Sequence, residues 1–276
     1  MVYDAHEDLA SDILGKYYIP RWLRRPLAWF IASVEAIASH FFSAVVTATV
    51  PISDRFRSRN EHTVVVSNYP ILDELVPKAR EWVRQSCSVA YVGVLARDRC
   101  LPEMVRAMAL VSGNCRVTLK LAGAFSPKGL MEDVARLEGW DRVVVLGILG
   151  QDQIAELLAN VRAGLVILRP TPSFLQSAPI KMFEYMAAGI PVIASDFPGF
   201  REIVEEARCG LLVDPLDPQA IADAIQFILG HPIEAEEMGR RGRAAVEARY
   251  NWASEERKLL DLYKSLLETP KSRCVA

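Results

Sequence analysis

The stretch Ser177–Asp217, SAPIKMFEYMAAGIPVIASDFPGFREIVEEARCGLLVDPLD, decides the fold of this chain. Ser177 and Pro179 are typical of the start of a helix, and Gly189 is typical of its end. The apolar run Pro191–Ala194 that follows predicts a buried strand. The segment therefore predicts a helix joined to a strand at the carboxyl edge of an open α/β sheet, which is where such sheets bind ligands.

The start of this helix is a predicted anion site. Unpaired backbone N–H groups and the helix dipole favour negative charge at a helix N-terminus, and Lys181 in the first turn adds a full positive charge. Glu184, one turn further on, is placed to accept hydrogen bonds from a pair of hydroxyls. A diphosphate beside a ribose fits this arrangement.

Outward from this segment, short apolar runs alternate with helical patterns along the chain. The runs that predict strands are residues 44–47, 63–66, 89–92, 117–121, 142–146, 164–168 and 191–194. The helical patterns between the later runs are residues 102–111, 130–138, 151–161 and 181–188. This alternation predicts an α/β fold with a doubly wound parallel sheet.

The two halves of the chain differ in completeness. Residues 76–250 are predicted to form one complete Rossmann-like domain. Residues 1–75 supply strands and a long helix for only part of a second one, with an uncovered sheet edge, so the chain is interpreted as a fragment or as leaning on a partner. Residues 251–276 are predicted to form a helix that packs back toward the first part.

Composition narrows the class of protein. Hydrophobic residues make up 51% of the 276 residues and charged residues 24%, which is typical of a globular protein. A net charge of −2 argues against a nucleic-acid partner. The five scattered cysteines lack the paired spacing of a zinc site and are expected to be reduced thiols in a cytoplasmic protein.

The segment Lys181–Asp196 resembles the carboxyl-terminal signature of retaining glycosyltransferases of the GT-B fold, the glycosyl transferases group 1 family (family 4 type). The family's other recurring loops are resembled by Tyr91-Val-Gly93 with Arg99, Leu121-Ala-Gly123, Leu146-Gly147 and Cys209–Pro215. The resemblance covers about residues 86–265. It implies a GT-B-type architecture with one complete and one partial Rossmann-like domain.

The resemblance also implies an activity and a set of binding residues. The expected reaction moves a sugar from a nucleotide-diphosphate sugar to the hydroxyl of a sugar, lipid-linked or small-molecule acceptor with retention, as in cell-surface polysaccharide or glycolipid synthesis. The residue matching Glu184 binds the ribose, and the one matching Arg99 grips the diphosphate, with Lys181 as a second candidate. Gly93 lets the backbone approach the phosphates, and the matched loops at Gly123 and Gly147 are assigned to donor binding.

Three further positions bear on catalysis. Gln176 stands where the family often has Glu near the transferred sugar, and Val94 where many members have Arg. Gln176 can hydrogen-bond sugar hydroxyls but cannot stabilise a developing positive charge, so it indicates either a tuned substrate preference or impaired catalysis. His6, matched to the end of a late strand of the amino domain, is interpreted as facing the donor sugar or acceptor, or as a structural hydrogen-bonding residue.

No metal or cofactor is expected to take part. The sequence contains no Asp-x-Asp motif, so Arg99, Lys181 and the helix N-terminus are expected to balance the charge on the departing diphosphate. Two other interpretations stay open: a non-catalytic nucleotide-sugar-binding remnant or scaffold, and a sugar epimerase of GT-B fold.

Residues 21–42 predict an amphipathic helix with apolar residues at helical spacing. Basic and tryptophan residues gather near its start, at Arg21, Trp22, Arg24, Arg25 and Trp29. One interpretation packs Leu27, Phe30, Val34, Ile37 and Phe41 against the sheet. The other adds peripheral contact with an anionic membrane, on the inner face of the cell membrane, or self-association.

Overall fold

The computed structural model describes residues 1–16, 19–72, 87–113, 116–175 and 177–268. Within them the chain is an α/β protein whose two sheets are parallel throughout, as the sequence predicts. It divides into two compact units. The first unit comprises Met1–Tyr69, Thr171–Ser177 and Trp252–Ala276, and the second comprises Pro70–Pro170 and Ala178–Asn251.

The strands of the described residues are β1 (Val2–Ala5), β2 (Ala44–Thr47), β3 (Thr63–Val65), β4 (Ser88–Val92), β5 (Thr118–Ala122), β6 (Val143–Gly147), β7 (Ala163–Val166), β8 (Val192–Ser195) and β9 (Gly210–Val213). Their helices are α1 (Leu9–Gly15), α2 (Arg21–Ala38), α3 (Val50–Arg57), α4 (Leu101–Leu110), α5 (Leu130–Val134), α6 (Gln151–Ala159), α7 (Pro172–Leu175), α8 (Ile180–Ala187), α9 (Pro198–Ala207), α10 (Pro218–Gly230), α11 (Pro232–Ala248) and α12 (Trp252–Glu268). Short 3₁₀ helices add Arg97–Arg99 and Trp140–Arg142.

The first unit is built on the sheet β1-β2-β3. Alternate residues of β2 point to opposite faces, so each face has its own core. Val45 packs with Phe56 of α3 on one face, whereas Val46 packs with Leu262 of α12 on the other. Helix α12 therefore belongs to the first unit, although it lies at the far end of the described chain.

Helix α2 turns a carboxylate towards this sheet. Glu35 is buried, accepts a hydrogen bond from the Tyr3 hydroxyl at 2.9 Å and pairs with the Arg55 guanidinium at 3.0 Å. Arg55 also pairs with Asp8, the residue that caps α1. The inward face of α2 is thus held by a polar network joining β1, α1, α2 and α3.

The outward face of α2 is apolar, so the interpretation in which this stripe packs against the sheet is wrong. Trp22, Trp29, Ile37 and Phe41 are 76, 73, 65 and 82% exposed, and Phe30 and Val34 about half exposed. The buried positions are instead Ala28 and Glu35. The reason is that a small residue and a paired carboxylate already occupy the inner side. Among the described helices, none combines the length and hydropathy needed to cross a bilayer.

The second unit has the strand order β6-β5-β4-β7-β8-β9. Counted from its own first strand this is 3-2-1-4-5-6, the doubly wound order, and the order reverses between β4 and β7. Strand β9, which the sequence indicates only as a glycine-bearing turn, pairs with β8 so that Leu211 lies beside Ile193. The core on the strands includes the buried side chains of Tyr91, Leu119 and Leu165.

Two local predictions need correction. Helix α8 begins at Ile180 with Pro179 at the N-cap, and the Ser177 hydroxyl donates to the Phe174 carbonyl at 2.9 Å instead of capping it. A residue that precedes proline is driven to extended backbone, which delays the helix past Ala178. The helical pattern at residues 130–138 forms α5 only as far as Val134.

The cysteines also differ from expectation. Cys87 is disulfide-bonded, so the expectation of reduced thiols throughout is wrong for this residue. Cys100 and Cys209 are free and buried. Burial raises the thiol pKa of each to about 12, which keeps both sulfurs protonated and inert.

Gly164 of β7 provides a test of how tightly this sheet is packed. A Cβ added there would lie 2.1 Å from Cδ2 of the buried Tyr185 ring. Gly164→Ala is therefore expected to lower the free energy of unfolding by about 3 kcal/mol, because the core has no room for the ring to move. Urea denaturation measures the change. Gly199→Ala is the control, since its Cβ meets no atom within 4 Å; an equal loss in both variants would contradict the packing argument.

Candidate functional site

The carboxyl ends of β4, β5 and β6 bring three predicted glycines side by side. The Gly93 amide donates to the Ala122 carbonyl at 2.9 Å, and the Gly123 amide donates to the Gly147 carbonyl at 2.7 Å. Gly93 follows β4 directly, at the point where the strand order reverses. This is the position at which doubly wound sheets bind ligands.

Gly123 is required here by a close approach. Its φ of +146° lies in the region that favours glycine, and an added Cβ would stand 1.9 Å from the Gly93 carbonyl oxygen. Gly93 itself has a φ of +128°. The two backbones can approach this closely only because Gly123 carries no side chain.

Lys181, in the first turn of α8, reaches this strand end. Its Nζ lies 3.8 Å from the centre of the Tyr91 ring, within the range of a cation–π contact. A Cβ added to Gly93 would stand 3.0 Å from the same Nζ. The ammonium thus lies on Tyr91 and against Gly93, and the structure places these predicted residues together.

Arg99 and Glu184 set the electrostatics around this lysine. Burial and, to a smaller extent, the positive charge of Arg99 together lower the pKa of Lys181 to about 7, although the nearby Glu184 carboxylate opposes the shift. Burial likewise raises the pKa of the Glu184 carboxyl, and Lys181 opposes that shift. Two like charges with restricted access to water make a site that an anion would stabilise.

The loop that carries Arg99 is held by residues that sequence analysis missed. The Arg169 amide, just beyond β7, donates to the Asp98 carbonyl at 2.9 Å. The Arg169 guanidinium donates to the buried Glu103 of α4 at 2.6 Å. These bonds tie the loop after β4 to the loop after β7. No sequence signal indicates this pairing, since the partners lie on separate elements.

Two buried hydroxyls were also missed. The Tyr185 Oη accepts a hydrogen bond from the Val92 amide at 2.9 Å. Ser195, at the end of β8, accepts from the Leu168 amide at 2.8 Å and donates to the Leu168 carbonyl at 3.0 Å. Both hydroxyls bond main chain at the carboxyl ends of the central strands and so fix the edge on which the site lies.

His6 lies in the first unit, just after β1. Its Nε2 is 3.0 Å from an Asp4 carboxylate oxygen and its Nδ1 is 3.4 Å from the Asn68 amide nitrogen. A carboxylate only accepts, so this pairing assigns the proton to Nε2 and leaves Nδ1 to accept from Asn68. The ring is about half exposed beside a depression lined by Tyr3, Ala5 and their neighbours.

Two further predictions concern Gln176 and metal binding. Gln176 lies outside the described residues. Within residues 1–16, 19–72, 87–113, 116–175 and 177–268, no three His, Cys, Asp or Glu side chains stand close enough together to hold a metal ion.

Residues 86–231, more than half of the chain, match the family described as glycosyl transferases group 1. The chain therefore belongs to this family. It is 34% identical over 191 residues to a D-inositol 3-phosphate glycosyltransferase of Corynebacterium urealyticum, covering 66% of the chain and 44% of the relative. It is 26% identical over 181 residues to an uncharacterized glycosyltransferase of Methanocaldococcus jannaschii, covering 65% and 45%. The chain thus spans less than half the length of these two relatives.

A solved structure shares the fold. The Anabaena protein HepE, in complex with UDP, matches with a TM-score of 0.75 at 19% identity, covering 96% of this chain and 72% of that one. The GT-B-type α/β fold that the sequence predicts is confirmed by this likeness.

The charge on Lys181 should appear in the pH dependence of stability. Its pKa falls from an ordinary 10.5 to about 7 in the folded chain, so the folded state binds fewer protons than the unfolded state between these values. The destabilisation by Lys181 is therefore largest below pH 7 and fades as the pH rises towards 10.5. We expect Lys181→Met to raise the free energy of unfolding by up to about 5 kcal/mol at pH 6, at about 1.4 kcal/mol for each unit of the pKa shift, and progressively less at higher pH.

Urea denaturation at several pH values measures this difference. Lys128→Met, on an exposed loop, serves as the control. A gain for Lys181→Met that is independent of pH would show that the lysine is not desolvated.

Proposed function

We propose that the chain binds a nucleotide-diphosphate sugar at the carboxyl edge of its second sheet and transfers the sugar, with retention, to an acceptor hydroxyl. The observation that carries the proposal is the Lys181 ammonium seated on Tyr91 and against Gly93, beside the charge of Arg99. The family supports it, and so do the HepE structures, which are complexes with UDP, with UDP and glucose, and with UDP-glucose.

In the proposed complex the positive groups meet the charge that develops on the leaving diphosphate. Arg99, Lys181 and the first backbone amides of α8 act as preorganised electrostatic partners, and no metal ion is invoked. The Glu184 carboxylate accepts hydrogen bonds from the ribose hydroxyls. No protein nucleophile is assigned in this proposal. Positive charge that develops at the sugar carbon is stabilised by the departing phosphate itself. Sugar or acceptor contacts by His6 and Gln176 rest on the family resemblance.

The diphosphate role of Arg99 can be separated from the ribose role of Glu184. Arg99→Ala should weaken UDP binding at least tenfold and leave uridine binding unchanged, because the guanidinium meets phosphate charge only. Glu184→Ala should weaken both ligands by about 1–3 kcal/mol, because it removes a charged acceptor of ribose hydroxyls. Calorimetry for UDP and NMR titration for uridine give the affinities, with GDP and ADP as further probes of the base.

Arg97→Ala is a matched control, since Arg97 lies in the same loop but is exposed and pairs with Asp133 at 2.5 Å. Equal losses of UDP and uridine in Arg99→Ala would show a structural effect and count against the site. Donor binding without sugar transfer would favour the binding remnant or scaffold. Conversion of the sugar nucleotide without an acceptor would favour the epimerase.

We also propose that α2 contacts an anionic membrane from its inner face, where a lipid-linked acceptor would be met. The apolar face of α2 consists of Trp22, Trp29, Phe30, Val34 and Ile37, and the exposed Phe41 follows the helix. Arg21 and Arg25 are exposed at its amino-terminal end, which suits an anionic headgroup zone. A continuous exposed apolar face of this kind is rare in soluble monomers.

Vesicle flotation tests the membrane contact. Trp29→Asp with Ile37→Asp should abolish binding to phosphatidylglycerol vesicles, because it places charge in the apolar face. Arg21→Glu with Arg25→Glu should weaken binding strongly at low salt and less at high salt, as screening shortens the reach of the charges. Ile148→Asp, at an exposed apolar residue of the second unit, is the control. Light scattering without vesicles measures self-association through the same face. Self-association of a chain that does not bind vesicles would contradict the membrane role.

A further inference from the structure

Three residues of α8 share the face that looks at the end of β4. Lys181 and Tyr185 are four residues apart and Glu184 lies between them, so their side chains project from the same side of the helix. The Lys181 Nζ contacts the Tyr91 ring and lies against Gly93, while the Tyr185 hydroxyl bonds the Val92 amide. Side chains of one helix face thus touch three consecutive residues of one strand end.

The Val92 amide points towards the site where the sheet order reverses. Backbone N–H groups alternate in direction along a strand, and the Gly93 amide donates to Ala122 of β5, so the Val92 amide points away from β5 towards β7. The register of β4 with β7 pairs Val89 with Ala163 and Ala90 with Gly164 and goes no further. Past that point the Tyr185 hydroxyl accepts the Val92 N–H.

The tyrosine ring reaches this position through a notch in β7, which is the space left by the missing side chain of Gly164. Tyr185 is fully buried, and its ring lies where a side chain on Gly164 would be. The ring is therefore confined by close packing while its hydroxyl is held by a bond to main chain. A group fixed in both ways is suited to set the position of the helix that carries it.

We propose that Tyr185 is a positioning residue, whose hydroxyl fixes α8 against the end of β4 and so holds Lys181 and Glu184 in place for the diphosphate and the ribose. This inference rests on the proposed function of the same site. Tyr185 is not itself proposed to touch the donor. It acts through the lysine and the carboxylate one turn away.

Tyr185→Phe tests the role, because it keeps the ring in the Gly164 notch and removes only the hydroxyl. The Lys181 ammonium is followed by NMR titration of the full chain with ¹³C-labelled lysine, assigned with Lys181→Met. Its midpoint is expected near pH 7 in the native chain, because the pKa of Lys181 is lowered to about 7. It should rise by at least one pH unit in Tyr185→Phe, because a loosened helix lets water reach the Nζ. UDP affinity should fall about five- to twentyfold.

Tyr3→Phe is the matched control, since it removes a hydroxyl bonded to Glu35 in the first unit. It should leave the Lys181 titration and the UDP affinity unchanged. An unchanged Lys181 titration midpoint in folded Tyr185→Phe overturns the inference, whether or not the native chain binds UDP. A native chain that binds no nucleoside diphosphate overturns the proposed function instead, and the titration then decides the positioning role by itself.

If Tyr185→Phe does not fold, hydrogen exchange in the native chain provides the decision. The Val92 amide should exchange as slowly as the Tyr91 amide in the same strand, because the phenol oxygen shields it. Exchange of Val92 at the rate of an unprotected peptide would overturn the inference.

Discussion

The close approach of the Gly93 and Gly123 backbones is the constraint on which the candidate site of the second unit depends. A Cβ at position 123 would stand 1.9 Å from the Gly93 carbonyl oxygen, so that position has no room for a side chain. Gly93 has a φ of +128°, in the region that favours glycine, and the Lys181 Nζ lies 3.0 Å from where its Cβ would be. Backbone geometry at these two positions therefore constrains the loops after two neighbouring strands.

Under the proposed function, the arrangement of Lys181 and Arg99 lowers stability at a site that binds an anion. A half-buried ammonium beside a guanidinium is unfavourable, because burial removes water from the charge and Arg99 repels it, and both effects lower the pKa of Lys181. The fold holds the charges in place with bonds elsewhere, such as Arg169 to the main chain of Asp98 and Tyr185 to that of Val92. Perturbed titratable groups held by a rigid surround are typical of functional sites.

In the first unit, opposite charges are paired with each other, whereas Lys181 and Arg99 of the second unit are like charges. Glu35 and Arg55 are paired inside the structure, where each satisfies the other and Tyr3 and Asp8 complete the network. A buried pair of this kind contributes little net stability, but removal of one partner would leave an uncompensated charge. The pairing of Glu35 also fixes the orientation of α2. Because Glu35 faces inward, the large apolar residues of the helix face outward.

The sequence by itself determined the class of fold and singled out the residues of the candidate site. Continuous apolar runs indicate strands buried on both faces, and the order of helix, Gly189, Pro191 and strand singles out the segment that carries Lys181 and Glu184. These are local patterns, because they depend on spacing along the chain. Tertiary structure alone decided that Tyr185 bonds Val92, 93 positions away, through a notch at Gly164. It also decided which face of α2 is buried, since helical spacing places apolar residues on one side without saying what that side meets. Such contacts follow from the order of strands in the sheet and from side-chain volumes packed across it, and neither can be read from neighbours in sequence.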